Sequence, residues 1–375
     1  MTERRPLRVA LVGPAPGRIG GTARLIELLE RHLSRGGVEA RSVATDAIPS
    51  WAPPWLDRVR YLRTALRFAA YQVRLLRAAF WADVIHAFAS AGLNFLLEPL
   101  PAVLIGRILG RRVVLNYHTG KAPDHLRRWR WLVRWAANRA DVFVVPSPFL
   151  ARIFADAGIP TVVVPNLVEA PDRVGTQAKG RVILNTRSLE PLYDLPTCLR
   201  AFGLVQARHP DMLLILLAGG SEERRLRRLA AELGLREVEF VGGVAHEEVP
   251  TYLARASLFL NSSRVDNQPL SILEAFASGV PVVSTDAGGI PDIVRHGETG
   301  LLAPVGDYRA LAERACHVLD DPALAQRLTR AGRAVAAAHG WNRLRDSWLR
   351  VYGADRERLS GEARAAAAAG SGVRE

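Results

Sequence analysis

Asp266 and Glu274 stand eight positions apart in the run Asp266-Asn-Gln-Pro-Leu-Ser-Ile-Leu-Glu274. Within twenty-four residues of Asp266 the chain adds Gly279, the apolar run Val280-Pro-Val-Val283 and the loop Asp286-Ala-Gly288-Gly289. Two carboxylates across the start of a helix, then a buried strand and a glycine loop, suit a site for a phosphate-linked sugar. Pro269 fits the first helical position, where its missing N–H would have had no partner and its fixed φ is already helical. The free N–H groups of that first turn, with the positive end of the helix dipole, favour a bound phosphate. Glu274, further along the helix, can accept hydrogen bonds from vicinal hydroxyls such as those of a ribose. Asp266 lies before the helix, free to face a sugar.

These residues need elements to hold them. The first half reads as a strand at Leu7–Val12, a glycine loop through Gly20 and Gly21, and a helix at Ala23–Ser34 that Gly36-Gly37 stops. Glycines between a strand and a helix let backbone approach a ligand closely, although no complete GxGxxG is present. Further strands are expected at Val84–Ala87, Arg112–Asn116 and Val142–Val145. The second half restarts with a strand at Arg181–Thr186, then a helix near Pro196–Arg208, a strand at Leu213–Ala218 and a glycine pair at Gly219-Gly220. Helix Glu222–Leu233, strand Glu239–Val241, helix Glu247–Ala254 and strand Leu258–Asn261 follow. Helices alternating with short Val/Ile/Leu runs predict an α/β protein with parallel sheets. Single cores stop growing near 250–300 residues, so the chain of 375 should divide in two. The expected division is an N-terminal domain over 1–166, a linker over 167–180 and a second domain over 181–340, with helix 341–359 crossing back onto the first domain and a disordered tail over 360–375. Two open sheets in tandem bind ligands at the carboxyl ends of their strands, in the cleft between them.

With 49% hydrophobic and 23% charged residues, the composition is that of a globular protein. Cys198 and Cys316 are the only cysteines and lack metal-ligand spacing, so a reduced, cytoplasmic setting is expected and no metal site. The amino terminus leads straight into the first strand, so no secretion signal is expected. The most apolar stretch, Phe95–Leu109, is broken by Glu98, Pro99, Pro101 and Arg107 and falls short of a membrane span. Residues 1–175 carry 25 Lys and Arg against 13 Asp and Glu, or +12 of the total +13, so the basic face belongs to the first half.

The order of motifs resembles the retaining glycosyltransferases of family four, whose hallmark is a Glu, seven residues, then a second Glu. It runs from Gly20-Gly21 through Tyr117-His118, Ser147, Pro165-Asn166, Arg187 and Ala218-Gly219-Gly220 to the acidic motif and Gly297-Glu-Thr-Gly300. The resemblance spans essentially the whole chain and implies two Rossmann-like domains facing across a cleft, the GT-B architecture. It implies a metal-independent reaction without cofactor, in which a hexose passes from a nucleotide diphosphate sugar to a hydroxyl of a glycan or lipid-linked acceptor. By the same carry-over, Glu274 binds ribose hydroxyls, Asp266 contacts the donor sugar, Arg187 neutralises the diphosphate, Gly20 and Gly21 approach the phosphates and His118 lines the donor sugar. Asn267, Gln268, Leu270, Ser271 and Gly219 complete the expected donor-binding set. The chain departs from the pattern in three places. Asp266 replaces the first Glu, Pro269 stands where a glycine is common, and the family lysine after Arg187 falls on Leu192 or Tyr193, with Arg18, Lys121 and Arg264 as candidate substitutes. A non-catalytic nucleotide-sugar-binding protein and a sugar-nucleotide epimerase of the same architecture are the alternatives.

One segment lies outside this scheme. In Asp124–Arg139, placed at 100° per residue, Leu126, Trp129, Leu132, Val133, Ala136 and Ala137 form an apolar face, while Trp131 and Trp135 project opposite it among Arg127, Arg128 and Arg139. Indoles beside guanidinium groups suit the headgroup region of an anionic membrane. The segment Leu56–Trp81, rich in Arg and aromatic residues, extends the theme, so peripheral docking on the inner face of the cell membrane is expected. No zinc spacing, helix-turn-helix or RNP-like motif points to nucleic acid.

Overall fold

Short runs of Val, Leu, Ile and Ala without polar alternation form strands buried on both faces, as parallel sheets require. The computed structural model describes residues 5–18, 20–48, 59–171 and 180–353. Strands β1 (Arg8–Gly13), β2 (Glu39–Ala44), β3 (Val84–Ala89), β4 (Arg112–Tyr117), β5 (Val142–Val145) and β6 (Val162–Val163) form one sheet in the order β2-β1-β3-β4-β5-β6. Strands β7 (Val182–Asn185), β8 (Leu213–Leu216), β9 (Val238–Phe240), β10 (Leu258–Asn261), β11 (Val282–Thr285) and β12 (Leu301–Ala303) form a second in the order β12-β11-β10-β7-β8-β9. Every pairing is parallel.

The helices of the first half are α1 (Gly21–Arg35), α2 (Arg60–Trp81), α3 (Leu93–Leu97), α4 (Pro99–Ile108), α5 (Ala122–Ala137) and α6 (Pro148–Asp156). Those of the second are α7 (Leu195–Arg208), α8 (Glu223–Glu232), α9 (Val249–Arg255), α10 (Leu270–Ala277), α11 (Tyr308–Asp320), α12 (Pro322–Ala338) and α13 (Trp341–Val351). Both halves are α/β units of the Rossmann kind. In each sheet the chain winds outward to one side and then returns to the other, reversing between β1 and β3 and again between β7 and β10. The loops that part at such a reversal leave a crevice at the carboxyl ends of the strands.

The described residues divide into one unit of those up to Pro146, Ala151–Val164 and 344–353, and a second of Ser147–Leu150 and those from Pro165 to Arg343. Most of α13 therefore belongs to the first unit. Trp348, only 1% exposed, tilts against His86 at 5.1 Å between ring centroids. The Tyr352 hydroxyl meets His86 Nδ1 at 2.9 Å, and Asn116 Nδ2 meets Nε2 at 3.0 Å. With both ring nitrogens used, His86 is a core group. The second unit packs α7 and α11 through Leu199, Phe202, Leu311 and Ala315 in one apolar cluster.

Several elements differ from the sequence reading. The helix expected over 247–254 splits into a 3₁₀ turn at His246–Glu248 and α9, because Pro250 in the first turn of α9 has no N–H and starts a helix rather than continuing one. β2, β6 and β12 have no counterpart in that reading: β2 mixes polar with buried residues, β6 is two residues long and β12 is three. Residues 172–179 of the expected linker, 354–359 of the expected last helix, the tail over 360–375 and residues 56–58 of the Arg-rich segment lie outside the described residues.

Candidate active site

The crevice of the second unit brings the loop after β7 against the loop after β10, because those strands are neighbours. Arg187 and Asp266 meet there: Arg187 Nη2 donates to Asp266 Oδ2 at 2.7 Å, and both side chains are shielded, at 13% and 12% exposure. Arg187 Nη1 donates to Ser271 Oγ at 3.0 Å, and the Tyr193 ring lies 4.0 Å from the guanidinium carbon. The Arg187 backbone N–H donates to Asn185 Oδ1 at 2.8 Å, fixing where the loop starts. A guanidinium held on three sides is pre-organised, so little side-chain entropy is lost when an anion arrives.

Asp266 is not free to face a sugar, contrary to the sequence reading. Besides Arg187, its carboxylate accepts from the Asn267 N–H at 2.9 Å and from Ser263 Oγ at 3.3 Å. The cause is topological, since eight positions of sequence separate Asp266 from Glu274 but strand adjacency places it on Arg187. Pro269 also shifts. It is the cap of α10 with extended ψ of 119°, and Leu270 begins the helix. Ser271 is therefore in the first turn, with its hydroxyl on Arg187.

Asn267 and Gln268 turn inward. Asn267 is 3% exposed and its Oδ1 accepts from Ser147 Oγ. Gln268 Oε1 accepts from the Asn166 N–H at 2.6 Å, and its carbonyl accepts from Asn166 Nδ2 at 2.8 Å. Both side chains anchor the loop, and Leu270 at 9% exposure packs beside them. Gly288 (φ +55°) and Gly289 close over the same loop, and a Cβ on either would overlap the carbonyl oxygen of Asp266 or Asn267. Gly219 follows β8, its carbonyl accepting from the Leu189 N–H at 3.0 Å, with open space where a Cβ would stand.

Glu274 lies one turn beyond Ser271 on α10, and its Oε1 is 3.2 Å from His246 Nε2. Of the three candidate cations, Arg18 is ion-paired with Asp46 in the first unit. Among the described residues Lys121 is bonded through its backbone alone, its N–H donating to Thr119 Oγ1 at 3.2 Å and its carbonyl accepting from the His125 N–H at 3.0 Å. Arg264 stands beside the position that lacks the lysine: its N–H donates to the Leu192 carbonyl at 2.9 Å, and its Nε lies 3.2 Å from Asp194 Oδ2.

In the first unit, Gly20 caps α1, Gly21 is its first residue, and His118 follows β4. Burial pushes the His118 imidazole down to about 3, so the ring is neutral at physiological pH. Its Nε2 is shielded without a hydrogen-bond partner among the described residues. In α5 the backbone breaks helical geometry at Trp129 (φ −129°, ψ 20°), so a single 100° wheel does not describe it. Trp131 remains 69% exposed beside the exposed Arg127 and Arg128, whereas Trp135 is half-buried under the Arg139 guanidinium, 3.8 Å away. His125, unremarked in the sequence, is buried with Nδ1 3.0 Å from the Tyr117 hydroxyl.

Sequence reading also missed Tyr193, Ser263 and His246 as site residues. Tyr193 carried a signal, since it is one of the two positions, with Leu192, on which the missing lysine falls. Ser263 and His246 carried none, because each reaches the site only through the packing of a loop after a strand.

Matches to known families cover most of the chain. The model for glycosyl transferases group 1 matches residues 169–335, and that for glycosyltransferase family 4 matches residues 19–170. The chain belongs to these family-four, group 1 glycosyltransferases. It is 28% identical over 348 residues to a GDP-mannose-dependent phosphatidylinositol monomannoside mannosyltransferase of Mycolicibacterium smegmatis, covering 80% of this chain and 90% of the relative. It is 31% identical to D-inositol 3-phosphate glycosyltransferase of Thermobispora bispora, over 70% of this chain and 61% of that enzyme. An exopolysaccharide phosphotransferase of Streptomyces coelicolor is 37% identical over 43% of this chain, a stretch that spans 17% of that protein. The last two matches thus span less than two thirds of the relatives' length. Among solved structures, sucrose-phosphate synthase from Thermosynechococcus elongatus shares the fold of this glycosyltransferase with a TM-score of 0.71 at 20% identity, covering 93% of this chain and 98% of its own. Anabaena HepE, solved with UDP-glucose, gives 0.68 at 19% identity over 96% and 100%. The two Rossmann-like units are those of the GT-B fold.

Proposed function

We propose that the chain is a retaining, metal-independent hexosyltransferase that moves a sugar from a nucleotide diphosphate donor to a hydroxyl of a glycan or lipid-linked acceptor. The observation that carries the reading is the Arg187 guanidinium, bridged to Asp266 and Ser271 at the head of α10 with Glu274 one turn on. Breaking a glycosyl–phosphate bond concentrates negative charge on the departing diphosphate while the sugar gains oxocarbenium character. A fixed cation and N–H dipoles aimed at those oxygens lower that barrier without reorganising. In this reading Asp266 acts as a positioning residue through Arg187, the first turn of α10 receives phosphate, and Glu274 exchanges His246 for the ribose hydroxyls. The retaining outcome rests on the resemblance across Asp266–Glu274. The mannosyltransferase relative uses GDP-mannose and the HepE structure holds UDP-glucose, which supports a nucleotide-sugar donor.

Docking on an anionic membrane surface is part of the same proposal. Exposed Trp131 with Arg127 and Arg128 supports it, as does α2, whose outward face shows Leu62, Val73, Leu76 and Phe80 to solvent. Among the described residues no helix is long and apolar enough to cross a membrane.

A thermal-shift panel of nucleotide sugars tests the donor site, repeated with Glu274→Ala. One donor should raise the melting temperature of the parent protein and not that of the variant. Equal stabilisation of both proteins, or none by any donor, overturns the assignment.

A further inference from the structure

A sugar nucleotide carries a negative charge on each of its phosphates, and when the sugar leaves, the electron pair of the broken C–O bond adds another to the diphosphate. Fixed cations lower the barrier by meeting that charge. Arg187 is not enough for this. Asp266 offsets its guanidinium at 2.7 Å, and Glu274 brings a further carboxylate on α10, so the three side chains together are net negative.

The second unit offers few other cations at that end of its sheet. In the loops that run from each of its six strands to the next helix or 3₁₀ turn, the arginines and lysines are Arg187, after β7, and Arg264, after β10. These two strands are paired, with Leu258 beside Ile183 and Phe259 beside Leu184, so their loops emerge side by side. Three contacts join the loops. Ser262 Oγ donates to the Tyr193 carbonyl at 2.8 Å, the Arg264 N–H donates to the Leu192 carbonyl at 2.9 Å, and Arg264 Nε lies 3.2 Å from Asp194 Oδ2. Arg264 thus contacts both residues that flank the ring covering Arg187.

Asp194 has a left-handed backbone, φ 46° and ψ 50°, and is the only non-glycine residue at positive φ among the described residues. Asp tolerates that region better than most residues, yet the conformation is strained, and such strain gathers at ligand clamps. Its carboxylate, 11% exposed, accepts from Thr197 Oγ1 at 2.9 Å and faces Arg264. A carboxylate fixed on both sides steers a long, flexible cation. The Arg264 side chain stays 62% exposed, and its two Nη groups have no partner among the described residues. A guanidinium tethered through Nε keeps that pair for an oxyanion, which it can grip with two parallel bonds.

We propose that Arg264, steered by Asp194, is the second cation of the donor site and takes the diphosphate together with Arg187. The inference rests on the nucleotide-sugar reading above. It makes Arg264 a group that touches the leaving phosphate and Asp194 the positioning residue behind it. An arginine that only braced the turn would, when lost, loosen Tyr193 and Arg187 and weaken every nucleotide alike.

Titration calorimetry on the full chain with UDP, GDP and ADP, each beside its own monophosphate, separates the two roles. For the diphosphate that the parent protein binds, Arg264→Ala should weaken binding by about ten-fold or more, and should change the matching monophosphate by less than about two-fold. Arg264→Lys should retain part of the difference. Asp194→Asn keeps the tolerance for a left-handed backbone and an acceptor for Thr197, so it should weaken the diphosphate by a smaller factor, again sparing the monophosphate. Arg264→Met keeps the apolar stem of the side chain and should match Arg264→Ala, which covers the case in which circular dichroism shows the shorter variant melting early. Undiminished diphosphate binding by Arg264→Ala, or an equal loss of diphosphate and monophosphate, overturns the proposal and leaves the nucleotide-sugar reading in place. A parent protein that binds none of the diphosphates overturns that reading, and this inference with it.

Discussion

In the proposed function the chemistry of the second unit turns on Arg187, and its environment links the two ends of the acidic motif. One carboxylate holds the guanidinium and the other stands a turn away on α10. Removing a fixed donor from a developing oxyanion typically costs 10²–10³ in kcat, so Arg187→Ala should lower kcat by roughly that factor with a smaller change in KM for the donor. Asp266→Asn should also lower kcat, by about ten-fold, because a neutral amide cannot bridge Arg187 as a carboxylate does. Steady-state kinetics on both variants check this, and an unchanged kcat for Arg187→Ala removes the role. The types and spacing of Asp266, Glu274 and Arg187 were legible in the chain. That Asp266 faces Arg187 was not, since it depends on which strands are neighbours.

At the scale of elements, the loop between β10 and α10 keeps its shape through packing more than through its own hydrogen bonds. Asn267 and Gln268 bond to Ser147 and Asn166, and the carbonyls of Asp266 and Asn267 lie against the Gly288-Gly289 turn. An alanine at 289 would push that turn off the loop, and overpacking of this kind costs about 1–3 kcal/mol. Gly289→Ala should therefore lower the unfolding free energy measured in urea by that amount, and should weaken donor stabilisation more than it weakens the fold. The glycine pair was visible as a turn signal. Its close approach to Asn267 was not, because the two are far enough apart in sequence that only folding joins them. Helix boundaries were legible where a breaker stands at the end, as at Gly36, and misread beside a proline at a helix start, as at Pro250 in the first turn of α9 and Pro269 just before α10.

Across the whole molecule, the balance of charge and the burial of titratable groups differ between the halves. His86, His118 and His125 of the first unit are all pushed below the ordinary histidine range by burial, His118 to about 3 and His125 to about 4. Such groups bind protons in the unfolded chain before they do so in the folded one, so the stability they contribute is present above pH about 6.5 and is lost as pH falls toward those values. Glu98 runs the other way: raised to about 7, it contributes stability below its unfolded value of about 4.5 that is lost as pH rises through 7. Melting curves should show the parent protein weakening steadily from pH 6.5 to 4, and Glu98→Gln should gain stability over the parent at pH 8 but not at pH 5. No gain at pH 8 would mean that Glu98 is well solvated. The basic first half carries a further expectation. Sedimentation with phosphatidylglycerol vesicles should be salt-sensitive, and Trp131→Ala together with Arg127→Ala and Arg128→Ala should reduce it several-fold; binding that ignores both salt and these substitutions contradicts membrane docking.

What the chain determined by itself was periodic or local. Apolar runs of four to six residues between helical stretches determined parallel α/β units, and length determined that there would be two, because burial alone sets both. The acidic motif, the lone arginine after β7 and the missing lysine were written in residue types. Only the tertiary structure decided that Tyr193 stacks on Arg187, that His246 meets Glu274, and that Arg264 faces Asp194. Each of these joins residues from loops whose meeting depends on strand order, and strand order follows from how helices cover a sheet, not from any one segment's preference.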